Sequence, residues 1–123
     1  MRLLTHNSLR SPMKGVDAGL LLEATRVEVV ETDVNESFVK HIAESLDWPA
    51  LRQASMQVGM AGDGLPEALT EELLADSAFL EALHRVLLDA HVVEGALVCP
   101  QTGRRFPITA GIPNLIVTEE EVA

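Results

Sequence analysis

The sequence lacks the residue types that several classes of binding site require. Aromatic residues make up 3% of its 123 residues, and tyrosine is absent. Sugar-binding grooves and base-stacking platforms depend on aromatic faces, so this scarcity argues against both. Lys and Arg number 9 against 19 Asp and Glu, which gives a formal net charge of −10. Because phosphate backbones attract Lys and Arg, we expect no direct contact with nucleic acid and predict a protein partner.

Two stretches of the chain carry no positively charged residue. Residues 59–84 and 106–123 contain no Lys or Arg. These acidic stretches could face a basic partner, but an ordinary solvated surface is the interpretation that the pattern favours.

Cysteine and long apolar runs are also scarce. Cys99 is the single cysteine, which excludes an intramolecular disulfide. No segment approaches the roughly 18–20 apolar residues that cross a bilayer, so we expect no membrane contact. The sequence shows no basic leader followed by an apolar run and a cleavage site. We therefore expect a soluble intracellular protein.

A catalytic centre is not recognisable. A nucleophilic enzyme needs a thiol or hydroxyl beside a base, whereas Cys99 ends an apolar segment, where cysteine is usually a small buried hydrophobe. His84 and His91 could share one face of a helix, but they lack the spacing and the glutamate of a His-Glu-x-x-His zinc site. We predict that they are helix-surface histidines. The glycine-rich residues 59–64 lack the Lys-Ser/Thr ending of a phosphate loop and are predicted to link two helices. We predict no catalytic residue and no cofactor site.

The segment VCPQTG has half of a zinc-binding pattern. Structural zinc requires about four Cys or His ligands. Cys99 and Thr102 have the spacing of one Cys-x-x-Cys knuckle, but a neutral threonine hydroxyl is a poor zinc ligand. We therefore predict no metal.

Apolar periodicity predicts strands at both ends of the chain and helices between them. In the first zone, β-branched alternation predicts a strand over 26–30. In the middle zone, helices are predicted over about 35–46 with Asn35 as N-cap, from 47–49 through Val58, over 70–75, and over 77–90 with Asp76 or Ser77 as N-cap. In the last zone, strands are predicted at 92–93, 96–98, 104–108 and 112–117.

This order predicts an α+β fold. Residues 1–34 and 92–123 would form a small antiparallel, zinc-ribbon-like sheet without its zinc ligands. Residues 35–91 would form a helical insertion, a second lobe between the two parts of the sheet.

Four segments in this order resemble one known family, over nearly the whole chain. They are MRLLTHNSL, Phe38-Val39, Asp47-Trp48-Pro49 and EGALVCPQTGRRFPITAGIPNLIV. They are similar to the multifunctional methyltransferase subunit family, the small activator shared by several eukaryotic tRNA, rRNA and release-factor methyltransferases.

The resemblance implies a non-catalytic subunit that keeps S-adenosylmethionine-dependent methyltransferases soluble and helps them bind S-adenosylmethionine. The cofactor would be bound by the partner and not by this chain. It implies heterodimers with partners that could compete, and a location in the cytoplasm and nucleus.

The resemblance also implies where the partner binds. The last strand of this family pairs with an exposed edge strand of the methyltransferase sheet, and Pro113 suits such an edge because it lacks an N–H. Composition alone favours a core role for the apolar residues concerned, and the resemblance favours an interface for the strand. The implied partner-binding residues are Leu3, Leu4, Thr5, His6, Asn7, Ile112, Pro113, Asn114, Leu115, Ile116 and Val117.

Some members of the resembled family bind zinc through four cysteines. The matching positions here are Ser11, Val16, Cys99 and Thr102, so three of the four ligands are replaced. The resemblance is therefore to a metal-free branch, in which packing of Val98, Phe106, Ile108 and their neighbours would hold the knuckle.

Two alternatives remain open from the sequence. One is a zinc-ribbon-like RNA-binding adaptor, for which Arg104 and Arg105 offer a small basic spot. The other is a small hydrolase or transferase, which the lack of a nucleophile–base pair disfavours.

Overall fold

Helices and an antiparallel sheet share the chain, which is α+β as predicted. The computed structural model describes residues 1–59 and 65–116. Its elements are α1 Leu3–Ser8, β1 Leu21–Val29, α2 Glu36–Ala43, α3 Trp48–Val58, α4 Glu71–Leu74, α5 Ser77–His84, a π-helical turn Arg85–Asp89, β2 Ala90–Val98, β3 Arg105–Thr109 and β4 Ile112–Pro113.

The helix starts confirm the predicted caps. The Asn35 side chain accepts a hydrogen bond from the Phe38 amide at 3.0 Å, and the Asp76 side chain accepts one from the Ala78 amide at 2.9 Å. Asp47 caps α3 by accepting from the Ala50 amide at 3.2 Å. A short polar side chain satisfies amides that have no partner within the helix, and this fixes where each helix begins.

The sheet joins the two ends of the chain. Its strand order is β1-β2-β3-β4 with antiparallel neighbours. β1 starts at Leu21, five residues before the predicted start at 26, because Leu21 and the residues after it pair with β2 from Val98 onward. The predicted start was therefore wrong, since the leucines of 20–22 carry no strand alternation.

The outer edge of β1 is covered by α3. Gln53 accepts a hydrogen bond from the Leu22 amide at 3.2 Å and donates one to the Leu22 carbonyl at 2.9 Å. Gln57 accepts from the Ala24 amide at 3.2 Å. These side chains satisfy backbone groups that would otherwise be a template for another strand.

β2 is one strand where two short strands were predicted. Glu94 and Gly95 continue the ladder, with register shifts in β1 on both sides of Arg26. A Cβ on Gly95 would lie 2.2 Å from the Glu23 carbonyl oxygen, so only glycine permits this close approach of the two strands.

The last predicted helix is shorter than expected. α5 ends at His84, five residues of π-helical turn follow, and Ala90 has an extended backbone and begins β2. His91 therefore lies in a strand, and His84 is buried, so the prediction of two helix-surface histidines was wrong.

A polar network of two buried residues, His84 and Asp89, and two half-buried ones, Thr32 and Arg85, lies at this turn. Thr32 donates to Asp89, and the His84 Nε2–H donates to the Thr32 hydroxyl over 2.8 Å. Arg85 donates to Asp89 at 2.6 Å and to the Thr32 carbonyl at 2.9 Å. Burial raises the pKa of Asp89, but the hydrogen bonds from Arg85 and Thr32 outweigh it and leave that pKa below its usual value. The network ties the β1–α2 connection to the helical turn.

Buried residues from the sheet and from the helices form one apolar cluster. It includes Leu22 and Phe106 of the sheet and Val39, Leu51 and Leu83 of the helices. The division into a sheet domain of 1–34 and 92–123 and a helical insertion of 35–91 stays a prediction.

Two further differences concern the ends of the described segments. α1 was not predicted as a helix from its short apolar run. β4 contains only Ile112–Pro113, whereas a strand over 112–117 was predicted. Val117, Gly62 and Gly64 lie outside the described residues. Among the helices that the structure describes, none is long and apolar enough to span a bilayer.

Candidate protein-binding site

The C-terminal hairpin presents the last described strand at one edge of the sheet. Ala110 and Gly111 form its two-residue turn, with positive φ angles of 51° and 79°. Two positive φ values match the type I′ turn that suits the twist of paired strands. The ladder pairs Thr109 with Ile112 and Ile108 with Pro113, and the Asn114 amide donates to the Pro107 carbonyl at 2.9 Å.

Side chains of this segment alternate between solvent and the protein. Ile112 and Ile116 are 70% and 76% exposed, and Asn114 between them is also exposed. Pro113 is half-buried, and Leu115 packs against the apolar cluster. The outward face therefore consists of two isoleucines on either side of an asparagine.

An open groove runs along the same segment. Its volume is about 450 Å³. It is lined by Thr109, Ile112, Pro113, Asn114, Leu115 and Ile116. Exposed apolar side chains beside an incompletely paired strand are typical of an edge that accepts another strand.

The predicted N-terminal residues divide into buried and exposed ones. Leu3 and His6 are buried, Leu4 and Asn7 are half-buried, and Thr5 is exposed. His6 donates from Nε2 to the Leu20 carbonyl at 2.7 Å. Burial lowers the pKa of His6, although the bond to Leu20 and the nearby Asp47 raise it, so the imidazole is neutral at pH 7.

Asn7 is engaged within the chain. Its side chain donates to the Asp47 carbonyl at 2.8 Å and accepts from the Asp47 amide at 2.9 Å. This pair of bonds fastens α1 to the start of α3.

The N-terminus and the hairpin turn meet at β2. The Val92 amide donates to the Met1 carbonyl at 2.8 Å, and the Gly111 amide donates to the Val93 carbonyl at 2.9 Å. The structure therefore places the start of α1 beside the start of β4. These two predicted parts of the site come from motifs that lie far apart in the sequence.

Cys99 is buried, as predicted, and has polar neighbours that its own sequence context did not indicate. The Ser11 hydroxyl donates to the Cys99 sulfur at 3.3 Å. Burial raises the pKa of Cys99, but hydrogen bonds from Ser11, Thr102 and backbone amides outweigh it and lower that pKa to about 7.

These residues do not fit a zinc ion. The structure brings Ser11 and Thr102 to Cys99, while Val16 packs against the apolar cluster. One thiolate and two neutral hydroxyls are a poor donor set for zinc. Across residues 1–59 and 65–116, no three His, Cys, Asp or Glu side chains converge as metal ligands.

The half-buried Thr32 and the buried His84 and Asp89 do not form a nucleophilic centre. The Thr32 proton is donated to Asp89, and the His84 side chain is 3% exposed while that of Asp89 is 0% exposed. The carboxylate that accepts the Thr32 proton is paired with Arg85, which lowers its pKa and makes it a weak base for activating the hydroxyl.

The chain matches a known family over most of its length. A family model described as Trm112p-like protein matches residues 2–111. This chain belongs to the Trm112p-like family. The matched range includes α1 and ends at Gly111, one residue before β4 begins.

Relatives of similar length support the assignment. The multifunctional methyltransferase subunit TRM112 homolog A of Arabidopsis thaliana is 44% identical, over 99% of this chain and 100% of that protein. The TRM112-like methyltransferase subunit of Mus musculus is 41% identical, over 98% of each chain.

A solved structure shares the fold. One chain of the E. cuniculi Mtq2–Trm112 complex superposes with a TM-score of 0.65 at 23% identity, covering 98% of this chain and 99% of that one. That complex is described as responsible for methylation of the eRF1 translation termination factor.

Proposed function

We propose that this chain is a non-catalytic activating subunit of S-adenosylmethionine-dependent methyltransferases and that it binds them by adding β4 to an edge strand of their sheet. It belongs to a family whose full-length relatives are named methyltransferase subunits. The observation that carries the binding mode is the exposed Ile112–Ile116 segment at the edge of the sheet.

Backbone groups supply the affinity of such pairing, and side chains supply the buried area. Ile112 and Ile116 stand in solvent in the free chain. Burying a side chain of this size stabilises a complex by roughly 1.5–3 kcal/mol. Pro113 removes one donor from the strand and so restricts the registers in which a partner strand can pair.

The N-terminal residues contribute in two ways under this proposal. Leu4 and Thr5 reach the surface and extend the contact, whereas the buried Leu3 and His6 and the engaged Asn7 hold α1 in place. Val117, outside the described residues, is proposed as a continuation of the contact.

The proposed partners act in translation. The E. cuniculi complex concerns a translation termination factor, and the proposal extends to methyltransferases that modify tRNA and rRNA. These partners would form heterodimers that compete for the same edge, in the cytoplasm and nucleus. The partner, and not this chain, would bind S-adenosylmethionine.

The RNA-binding alternative has no structural support among the described residues. Arg105 is paired with Glu23, and Arg104 lies 5.1 Å from the centre of the Phe106 ring. Both arginines are thus engaged within a chain of net charge −10.

The proposal is tested by adding the purified subunit to a methyltransferase and titrating S-adenosylmethionine by calorimetry. We expect a 1:1 complex by native mass spectrometry and tighter cofactor binding by the complex than by the methyltransferase alone. Equal cofactor affinities would contradict the activating role, and binding of the cofactor by the isolated subunit would contradict the assignment to the partner.

A further inference from the structure

The β3–β4 ladder stops one hydrogen-bonded pair, or rung, short of the length that its register allows. Thr109 pairs with Ile112, and the Asn114 amide bonds to the Pro107 carbonyl. In an antiparallel ladder, hydrogen-bonded pairs recur every second residue. The next such pair would join the Ile116 amide to the Arg105 carbonyl, both of which belong to the described residues.

The Ile116 amide is instead bound by a side chain. The Asn114 Oδ1 accepts from it at 3.1 Å. Asparagine readily bonds to backbone two residues ahead, and such a bond competes with a sheet ladder.

The Arg105 carbonyl is also bound by a side chain. The Arg104 guanidinium donates to it from Nη1 at 2.9 Å, while the same guanidinium lies over the Phe106 ring. The Ile116 amide and the Arg105 carbonyl, which would form the missing rung, are therefore both bound by nearby side chains. Asn114 binds the first, and Arg104 binds the second.

We propose that Asn114 and Arg104 form a latch that stops β4 at this rung in the free subunit, and that docking of the partner strand opens the latch and lengthens β4. This inference rests on the proposed function and concerns how that same edge is regulated. A partner strand pairs along an extended backbone, so it requires residues 113–116 in the conformation that the Asn114–Ile116 bond prevents.

The latch also has a consequence for the unbound subunit. A longer β4 would present more unpaired groups to a second copy of the chain, and free edges of this kind drive self-association. Keeping β4 short therefore limits self-association of the free subunit until a methyltransferase strand binds.

The direct test is nuclear magnetic resonance of the isotope-labelled subunit, alone and with an unlabelled methyltransferase. Scalar couplings across hydrogen bonds identify the acceptor of the Ile116 amide. We expect a coupling to the Asn114 side-chain carbon in the free subunit and to the Arg105 carbonyl carbon in the complex. An unchanged acceptor in the two states would overturn the latch.

A second test compares two substitutions of one residue. Asn114→Ala removes the acceptor, whereas Asn114→Asp keeps it. Because one net hydrogen bond no longer has to break on docking, we expect Asn114→Ala to bind a methyltransferase about two- to tenfold more tightly than wild type. Asn114→Asp should not gain affinity.

The two proposals fail differently. If the wild-type subunit forms no complex, the proposed function fails. If the wild-type subunit forms the complex but Asn114→Ala binds no more tightly, the latch alone is wrong.

Discussion

At the scale of single residues, Gly95 sets how closely β1 and β2 approach. A methyl group there would lie 2.2 Å from the Glu23 carbonyl oxygen, which is backbone and cannot swing away. We predict that Gly95→Ala lowers the free energy of unfolding in urea by about 1–3 kcal/mol or more, since overpacking forces strands apart.

Gly19→Ala is the matched control, because a Cβ on Gly19 would have its nearest neighbour at 3.9 Å. A Gly95→Ala variant as stable as Gly19→Ala would show that the strands can separate without cost.

Ser11 acts on the protonation of Cys99. The pKa of Cys99 is about 7 in the folded chain, below its usual 9.0. The folded chain then binds fewer protons than the unfolded chain between these values, so stability is gained as pH rises through this window and lost as pH falls through 7. The Ser11 hydroxyl supports the thiolate, since it donates to the sulfur.

We therefore predict that Ser11→Ala destabilises the chain more at pH 9 than at pH 6. The loss at pH 9 should be about 1.5–3 kcal/mol, as for hydrogen bonds to charged groups. Urea unfolding under reducing conditions measures it, with Ser8→Ala as control because the Ser8 hydroxyl is exposed and donates to the Thr5 carbonyl in its own helix. A loss that is the same at both pH values would rule out a thiolate at Cys99.

At the scale of elements, the two edges of the sheet differ in whether another element covers them. α3 satisfies the β1 edge through Gln53 and Gln57, while β4 stays accessible. Covering one edge leaves the other as the place for a partner strand.

Gln53→Met tests the covered edge. It removes both bonds to Leu22, so we predict faster hydrogen exchange of the Leu22 amide and a loss of stability of about 1–2 kcal/mol. Gln57→Met removes one bond and should have a smaller effect, and Gln101→Met in the exposed turn should have none. Unchanged exchange at Leu22 in Gln53→Met would mean that the strand edge is protected by other means.

The sequence predicted the start of a helix correctly where a single capping residue determines it. Asn35 and Asp76 start helices through their own side chains, and this is visible in the sequence. The end of α5 was missed, because Ala90 leaves the helix to pair with Val29 in β1, 61 positions earlier in the chain. Pairing partners that are distant in sequence leave no local pattern.

At the scale of the whole molecule, the sequence motifs predicted which residues form the candidate site but not their geometry. Residues 112–117 were predicted as an interface, and the structure adds that Ile112 and Ile116 face solvent while Leu115 packs inward. β4 ends at Pro113, beside two bonds from the side chains of Asn114 and of Arg104, which precedes β3, and the motif alone did not predict them.

The inward packing of Leu115 decides how the interface is best disrupted. A charge at Leu115 would disturb the apolar cluster as well as the edge. Ile112 and Ile116 are the better targets, since both are largely exposed. Met56 on α3 is 76% exposed, as is Ile116, and serves as a matched control far from the β4 edge in the sheet order.

The most direct measurement of the strand-pairing claim is the dissociation constant of the methyltransferase complex for Ile112→Asp/Ile116→Asp and for Met56→Asp. Losing two buried isoleucines and burying two carboxylates should weaken binding by about 100-fold or more. Circular dichroism should show both variants folded, and Met56→Asp should bind like wild type. A folded Ile112→Asp/Ile116→Asp variant that binds a methyltransferase as tightly as wild type would contradict the pairing of β4 with its partner.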